Sequence, residues 1–416
     1  MPPASGGPSD QVIPSYLVST HTLRRATLSG LNLTFLLTLA HGTNDAFSNV
    51  LPVFLPTLQA RFGLGEALLA VMVAVISISS NVLQPLFGGF VDRWGRRKSA
   101  ALGLIVGSAL MGFISVAPNV WSLFFILAIG GLGSAIFHPA AASMARNTGA
   151  EKSLSMSLFA AGGSLGSALM PIVVLAVLRG VGSSYVPLLS IFGVLVGLAV
   201  FSLTPRQAQT APRNGVRGPI FDLSLLSGPV GLLALAGILR AMAFISFING
   251  MPLFLASVRG FAPDAQVIGL TLSLYSGAAA VGGILAGLAV ARVGRSRLIV
   301  GTMLLALPAL LLVLQVPTAT PLYFLLVALA GLLTNSSIPL LVISAQDLAP
   351  NDVAAASGLL MGFTWGVAGV VYIGFGALQQ FIGIAPAIAL GFLFLVPAAI
   401  LVGWVLRRNS DLLSTD

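Results

Sequence analysis

The sequence predicts an all-α polytopic membrane protein, with twelve transmembrane helices in two pseudo-symmetric six-helix bundles. Three observations carry that expectation. The 416-residue chain is 57% apolar and only 7% charged, against about 25% charged residues in an ordinary soluble domain. So little charge cannot keep a surface wet, so lipid must solvate it and each span must satisfy its own backbone as a helix. Apolar runs longer than about 18 residues recur, where the strands of a barrel would alternate apolar and polar residues. The chain also repeats itself after about 200 residues. Gly131-Leu132 with Pro139 returns as Gly331-Leu332 with Pro339, and Gly162 and Gly166 return as Gly362 and Gly366. Pro52 to Leu55 returns as Pro252 to Leu255, and Gly88 to Arg96 returns one residue out of step as Gly287 to Arg295. Two helical halves that rock against each other around a mid-membrane site are the signature of many transporters.

The spans are expected at 27–57, 66–91, 98–117, 120–145, 153–178, 185–203, 228–257, 266–291, 297–316, 320–346, 353–378 and 383–406. Residues 1–22, rich in Pro, Ser and Gly, read as a disordered tail with no secretory signal pattern. The polar stretch 204–222, with Arg206, Arg213 and Arg217, sits where a linker should join a first bundle (23–203) to a second (223–408). Residues 409–416 form a second tail. With both termini cytoplasmic, the inside segments hold sixteen basic residues, among them Arg93, Arg96, Arg97, Lys98, Arg146, Arg292, Arg295 and Arg407. The outside then holds only Arg61, Arg179 and Arg259. That bias supports the even span count and an orientation in the cytoplasmic (inner) membrane.

Other function classes find little support. The net charge of +9 is spread as short clusters between apolar spans, a topology signal rather than a nucleic-acid surface. With no cysteine, neither a disulfide nor a thiolate metal site is possible. No Walker signature, metal cluster or nucleophile triad is present, so neither an enzyme nor a cofactor is expected. The expected partners are a small-molecule substrate, protons and lipid, around a monomer.

The loop after the second span reads Gly88-Gly-Phe-Val-Asp92-Arg93-Trp-Gly95-Arg96-Arg97-Lys98. Small Gly88 lets helices approach closely, and Asp92 with the arginines can make charge-assisted contacts between helix ends. This loop resembles the loop 2–3 signature of the major facilitator superfamily, and the resemblance covers nearly the whole chain. It implies a major facilitator fold, with Gly88, Asp92, Arg93, Gly95, Arg96 and Arg97 as a conformational latch. The second copy keeps Gly294 and the basic residues but has Ala291 where Asp92 stands. His41-Gly-Thr-Asn44-Asp45, Phe137-His138-Pro139 and the glycines from Gly162 to Gly166 resemble a narrower branch, the fosmidomycin-resistance transporters, which implies drug:proton antiport. Ala140-Ala141-Ala142 after Phe-His-Pro and Met170-Pro171 in place of Gly-Pro depart from the family pattern, and bear on the substrate rather than the fold.

Ionisable residues deep in a span are costly and usually functional. His41, Asp45, His138 and Arg240 are the four candidates. They fall on helices 1, 4 and 7, which the resemblance places around the central cavity. His41 and Asp45, four residues apart, share a helix face and would titrate as a unit; they either carry protons or lock the helix by bonding each other. His138 either joins them or serves a backbone carbonyl freed by Pro139. Arg240 lies about 18 Å into helix 7 and must find an anion: the substrate, or Asp45 across the halves; otherwise its head snorkels. A fixed guanidinium suits a carboxylate or phosphonate, and fosmidomycin is a phosphonate. Asn44, Gln84, Asn249 and Asn335 either bind substrate or bond a neighbouring helix. Phe137, Phe244 and Trp365 either wall a pocket or simply pack.

Together these point to a secondary active transporter driven by the proton gradient, exporting a small drug-like molecule that Arg240 suggests is anionic. The rivals are transport of a metabolite such as an organic acid or sugar, an uncoupled facilitator or receptor, and a membrane enzyme.

Overall fold

The structure, a computed structural model, describes residues 28–205 and 223–412. The tail expected over 1–22 and nearly all of the expected linker lie outside the described residues. Among these, regular structure is helical throughout. The helices are α1 (Gly30–Ser48), α2 (Leu51–Phe62), α3 (Glu66–Ser77), α4 (Gln84–Trp94), α5 (Arg96–Gly112), α6 (Val120–Ala145), α7 (Lys152–Gly180) and α8 (Leu189–Leu203). The second bundle holds α9 (Pro229–Leu253), α10 (Gln266–Val293), α11 (Arg295–Val313), α12 (Pro321–Leu348), α13 (Val353–Gly358), α14 (Thr364–Ile382), α15 (Ile384–Leu393) and α16 (Leu395–Arg408).

Among the described residues, eleven continuous helical runs are long and apolar enough to cross a membrane. They match the second to twelfth expected spans to within a few residues. The first expected span is different. His41, Asn44 and Asp45 make α1 too polar to qualify, and the chain breaks between α1 and α2. Pro52 has no N–H to give and therefore starts α2 rather than continuing α1. The break is repaired locally, because the Asn49 backbone and side-chain amides both donate to the Asp45 carbonyl. Three other spans change pitch without breaking, through π turns at Ile78–Val82, Phe254–Val258 and Leu359–Phe363.

Helices in lipid associate by close packing and interhelical bonds, so small residues mark the contacts. The paired glycines of the repeat behave this way, but in two different places. Gly162 and Gly166 on α7 lie against Thr38 and Gly42 of α1, inside the first bundle; a Cβ at Gly166 would land on the Gly42 backbone. Their counterpart Gly366, with Gly369 and Gly376, faces Val82, Ser77 and Ala70 across the interface between bundles. The bundles also meet where α10 crosses α7, with Gly269 against Pro171. At the end remote from the chain termini, Ser257 donates to Gln59, which in turn donates to Glu66, closing that end with a polar strap.

Gly95 and Gly294 link α4 to α5 and α10 to α11 with φ of +98° and +86°. Only glycine accepts that conformation readily, which explains why both copies of the loop keep it. Arg61 and Arg259 are also repeat-related. Arg61 donates to the Ser115 carbonyl, and Arg259 to those of Leu314 and Val316. Each guanidinium thus caps the carbonyl end of a neighbouring span. The outer faces carry exposed Phe35, Leu195, Leu288, Leu325 and Ile400, a surface suited to lipid.

Gly166→Ala is expected to lower stability in detergent by about 1–3 kcal/mol through overpacking, while Gly287→Ala, which has open space around it, leaves the melting temperature unchanged. Equal melting of both variants would remove the close contact of α7 on α1 from the account.

Candidate functional site

The first bundle gathers three of the four ionisable candidates into one cluster. Asp45 on α1 places Oδ2 3.4 Å from His41 Nε2 and Oδ1 3.2 Å from His138 Nε2 of α6. Asn44 donates to Asp45 Oδ1 at 3.0 Å and to the Ser134 hydroxyl at 3.1 Å. The two rings meet edge to face at 5.2 Å, and His41 stacks on Phe159 at 4.1 Å. Gly163 makes this possible: a Cβ there would come within 2.6 Å of both Asp45 Oδ2 and His41 Cε1. Side-chain exposure rises from 11% at His41 through 19% at Asp45 to 29% at His138, so the cluster is reached from the His138 side.

The far nitrogens define what the cluster can do. His41 Nδ1 lies 2.7 Å from the Phe159 carbonyl, which can only accept, so Nδ1 carries hydrogen and Nε2 faces the carboxylate. His138 Nδ1 has both the carbonyl (3.0 Å) and the hydroxyl (3.2 Å) of Ser134 within reach, so this ring has a choice of tautomer. A bare Nε2 against a carboxylate oxygen sets lone pair against lone pair. The His41 contact becomes a hydrogen bond only when an added proton occupies it. The ligating atoms of the three residues lie within 4.8 Å of one another, close enough to share one small cation.

Arg240 stands in the other bundle. It is 2% exposed on α9, and its Nη1 donates to Asn335 Oδ1 at 2.8 Å and to the Thr334 carbonyl at 3.4 Å, both on α12. Its guanidinium carbon lies 4.8 Å from the centre of the Trp365 ring, which Phe244 meets edge-on at 4.9 Å. A charge at mid-span costs about 2.5–3.5 kcal/mol on insertion scales. A desolvated cation–π contact returns about 2 kcal/mol and a charge-assisted hydrogen bond about 1.5–3 kcal/mol. These contacts offset much of that cost, and no carboxylate stands beside the guanidinium among the described residues. The ion pair with Asp45 is not formed: Asp45 faces the histidines and Asn44, while Arg240 bonds Asn335 and Thr334.

Two other candidates lie in the histidine cluster. Asn44 spends its amide hydrogens on Asp45 and Ser134, inside the histidine cluster rather than beside Arg240. Phe137 is fully buried against both histidines. Asn249 bonds the Ile245 carbonyl of its own helix, and Gln84 faces Gly362 between the bundles. His138 turns to Ser134, not to the Ala135 carbonyl that Pro139 leaves free. Of the expected latch, Arg97 donates to the Thr204 carbonyl and covers the Phe201 ring, tying α5 to the end of α8. Arg93 is exposed, and the side chains of Gly88 and Asp92 lie outside the described residues. In the second copy Arg295 pairs with Asp347 of α12 at 2.5 Å, a carboxylate from a different helix where Ala291 offers none. Sequence reasoning missed Ser134, Gly163 and the Phe159 carbonyl as parts of the site. Only Gly163 left a signal, as the second glycine of a pair.

Residues 35–373 match the model of the Major Facilitator Superfamily. The chain is 25% identical over 372 residues to an uncharacterized MFS-type transporter of Bacillus subtilis (strain 168), YfnC, covering 85% of this chain and 88% of the relative. It is 24% identical over 342 residues to the fosmidomycin resistance protein of Escherichia coli (strain K12), covering 80% and 83%. Two solved structures share the fold: an inward-facing, unoccupied bacterial homolog to the human lysosomal transporter Spinster, and the nucleoside transporter NupG. The first has a TM-score of 0.76 at 15% identity and covers 92% of this chain and 98% of that one. The second has a TM-score of 0.71 at 13% identity, covering 90% and 98%.

Gly163→Ala is expected to destabilise the protein by about 1–3 kcal/mol, and adding His41→Ala, which removes one of the two side chains the new methyl meets, should recover part of it. Strict additivity in that double-mutant cycle would separate Gly163 from the cluster.

Proposed function

The chain belongs to the Major Facilitator Superfamily, and we propose that it is a proton-coupled antiporter that exports a small, anionic, drug-like molecule by alternating access. The observation that carries this is the division of labour between bundles. One holds a carboxylate between two imidazoles, with at least one contact that needs an added proton. The other holds a buried guanidinium with no carboxylate partner among the described residues. Proton and anion thus have separate seats on bodies that move relative to each other, as coupling requires. Protonation at Asp45, with His41 and His138, favours one facing state; an anion on Arg240 favours the other. Asn335, Phe244 and Trp365 hold and wall the anion seat. The loop from Gly88 through Asp92 to Arg97 latches the bundles in one state.

The proton gradient supplies the energy, about 2.3 kcal/mol per charge per 100 mV for its electrical part, with no cofactor. The basic bias between spans supports cytoplasmic termini and the inner membrane, and we read the protein as a monomer. Export is favoured by the name of one relative, the fosmidomycin resistance protein. A second reading, transport of a cellular organic acid, is favoured by the same arginine.

In proteoliposomes, adding fosmidomycin should move protons in the wild-type protein and move none in Asp45→Asn at unchanged melting temperature. Equal proton movement in both would take Asp45 out of the mechanism. Arg240→Lys should weaken an anionic substrate by about tenfold or more, the scale of a charge-assisted bond, with little effect on a neutral one. Equal losses would make Arg240 structural.

A further inference from the structure

The histidine cluster has the make-up of a metal site. His41 and Asp45 stand four residues apart on one face of α1, and His138 reaches them from α6. A tetrahedral ion with ligands at about 2.0–2.1 Å sets neighbouring ligand atoms about 3.3 Å apart. The two nitrogen–oxygen distances here, 3.4 and 3.2 Å, match that spacing. No two of the ligating atoms lie more than 4.8 Å apart, so a small swing of His138, the most exposed of the three, closes the set. The outer shell is present too. A ligating imidazole ordinarily donates its other N–H to a carbonyl or carboxylate. The Phe159 carbonyl takes that hydrogen from His41 at 2.7 Å, and the Ser134 carbonyl lies 3.0 Å from His138 Nδ1. Asn44 steadies the carboxylate by donating to Oδ1.

We propose that His41, Asp45 and His138 form a reversible site for a divalent transition-metal ion of the zinc class. The donor set decides the class. Imidazole nitrogens suit Zn2+ and its neighbours in the first transition row, whereas Mg2+ and Ca2+ prefer oxygen alone. Three protein ligands leave a fourth position open, the pattern of zinc sites that keep a water or ligand rather than of closed structural ones. The open side is that of His138, from which the cluster is reached. A cation also resolves the opposition of lone pairs between His41 and Asp45, since both face it as donors. No spacing motif marks the set in the sequence, because its ligands come from two helices. The bound ion ties α1 to α6 and takes the lone pairs that the antiport reading gives to a proton, so Zn2+ blocks the transport proposed above. The binding itself does not rest on that reading.

The test is calorimetric titration of the full chain in nanodiscs, free of any affinity tag, with Zn2+ and with Mg2+. The chain has three histidines and no cysteine, so a His21→Ala background removes the one other imidazole. In that background a single Zn2+ should bind and raise the melting temperature, and Mg2+ should do neither. His41→Ala, His138→Ala and Asp45→Asn should each weaken Zn2+ on the order of a hundredfold or more, beyond the about 10–100-fold that loss of an outer-shell partner costs. Asn44→Ala, which keeps all three ligands, should weaken it by about tenfold. Mg2+ binding as tight as Zn2+, Zn2+ affinity unchanged by loss of any of the three ligands, or no Zn2+ binding to monodisperse protein would overturn the proposal. The comparison of the two ions reads the site with all three ligands intact, and proton movement in liposomes reads the antiport proposal separately, so either can fail alone.

Discussion

Two helices that touch backbone to backbone hold this protein's chemistry in place. Lipid gives helices no hydrophobic reason to associate, so α1 and α7 approach through surfaces stripped to glycine. Gly42, Gly162 and Gly166 bring the backbones together, and the rest follows from that distance. The Phe159 carbonyl reaches across to His41, Gly163 leaves room for the Asp45 carboxylate, and Asn44 turns to Ser134 on α6. A bulkier residue at the contact would do more than loosen packing. It would withdraw the carbonyl that fixes which nitrogen of His41 faces Asp45.

The repeat is a shared frame carrying complementary chemistry. Two hundred residues after His41, Asp45 and His138 stand Ala241, Ile245 and Ile338; two hundred before Arg240 and Asn335 stand Ala40 and Ala135. Wherever one copy is ionisable or polar at these positions, the other is apolar. Structural devices are kept in both, as with Gly95 and Gly294 at the turns and Arg61 and Arg259 at the helix ends. Duplication therefore supplied the architecture twice and the ionisable groups once each, so the histidine–carboxylate cluster and the buried arginine sit on different bundles. Ile338 has even been turned to another use, as part of the wall beside Arg240.

Much of this was legible in the sequence, for physical reasons. Long apolar runs have one solution in lipid, so spans two to twelve were found to within a few residues. A buried charge is rare enough to stand out, which marked His41, Asp45, His138 and Arg240. What escaped was whatever side-chain identity does not encode. The Phe159 carbonyl belongs to the backbone, and nothing about a phenylalanine announces it. The break after Asn49 hid inside an apolar run, because Pro52 reads equally well as a kink or a start. The pairing of Arg295 with Asp347 joins residues far apart in sequence. Whether Asn44 binds substrate or bonds a neighbouring helix was open in the sequence because an amide suits both, and only geometry places it on Ser134.

The π turn at Leu359–Phe363 ends one residue before Thr364 and two before Trp365. A π turn holds one residue more than the α-helical turn it replaces, and one residue is worth about 100° of rotation. The face that α14 shows to Arg240 is therefore set by a count of residues as much as by their kinds. Taking one residue out of that turn would swing the indole around the helix axis and strip the guanidinium of its aromatic cover, though no side chain of the site had been altered. In this span, chain length is itself a determinant of what surrounds Arg240, invisible to any survey by substitution.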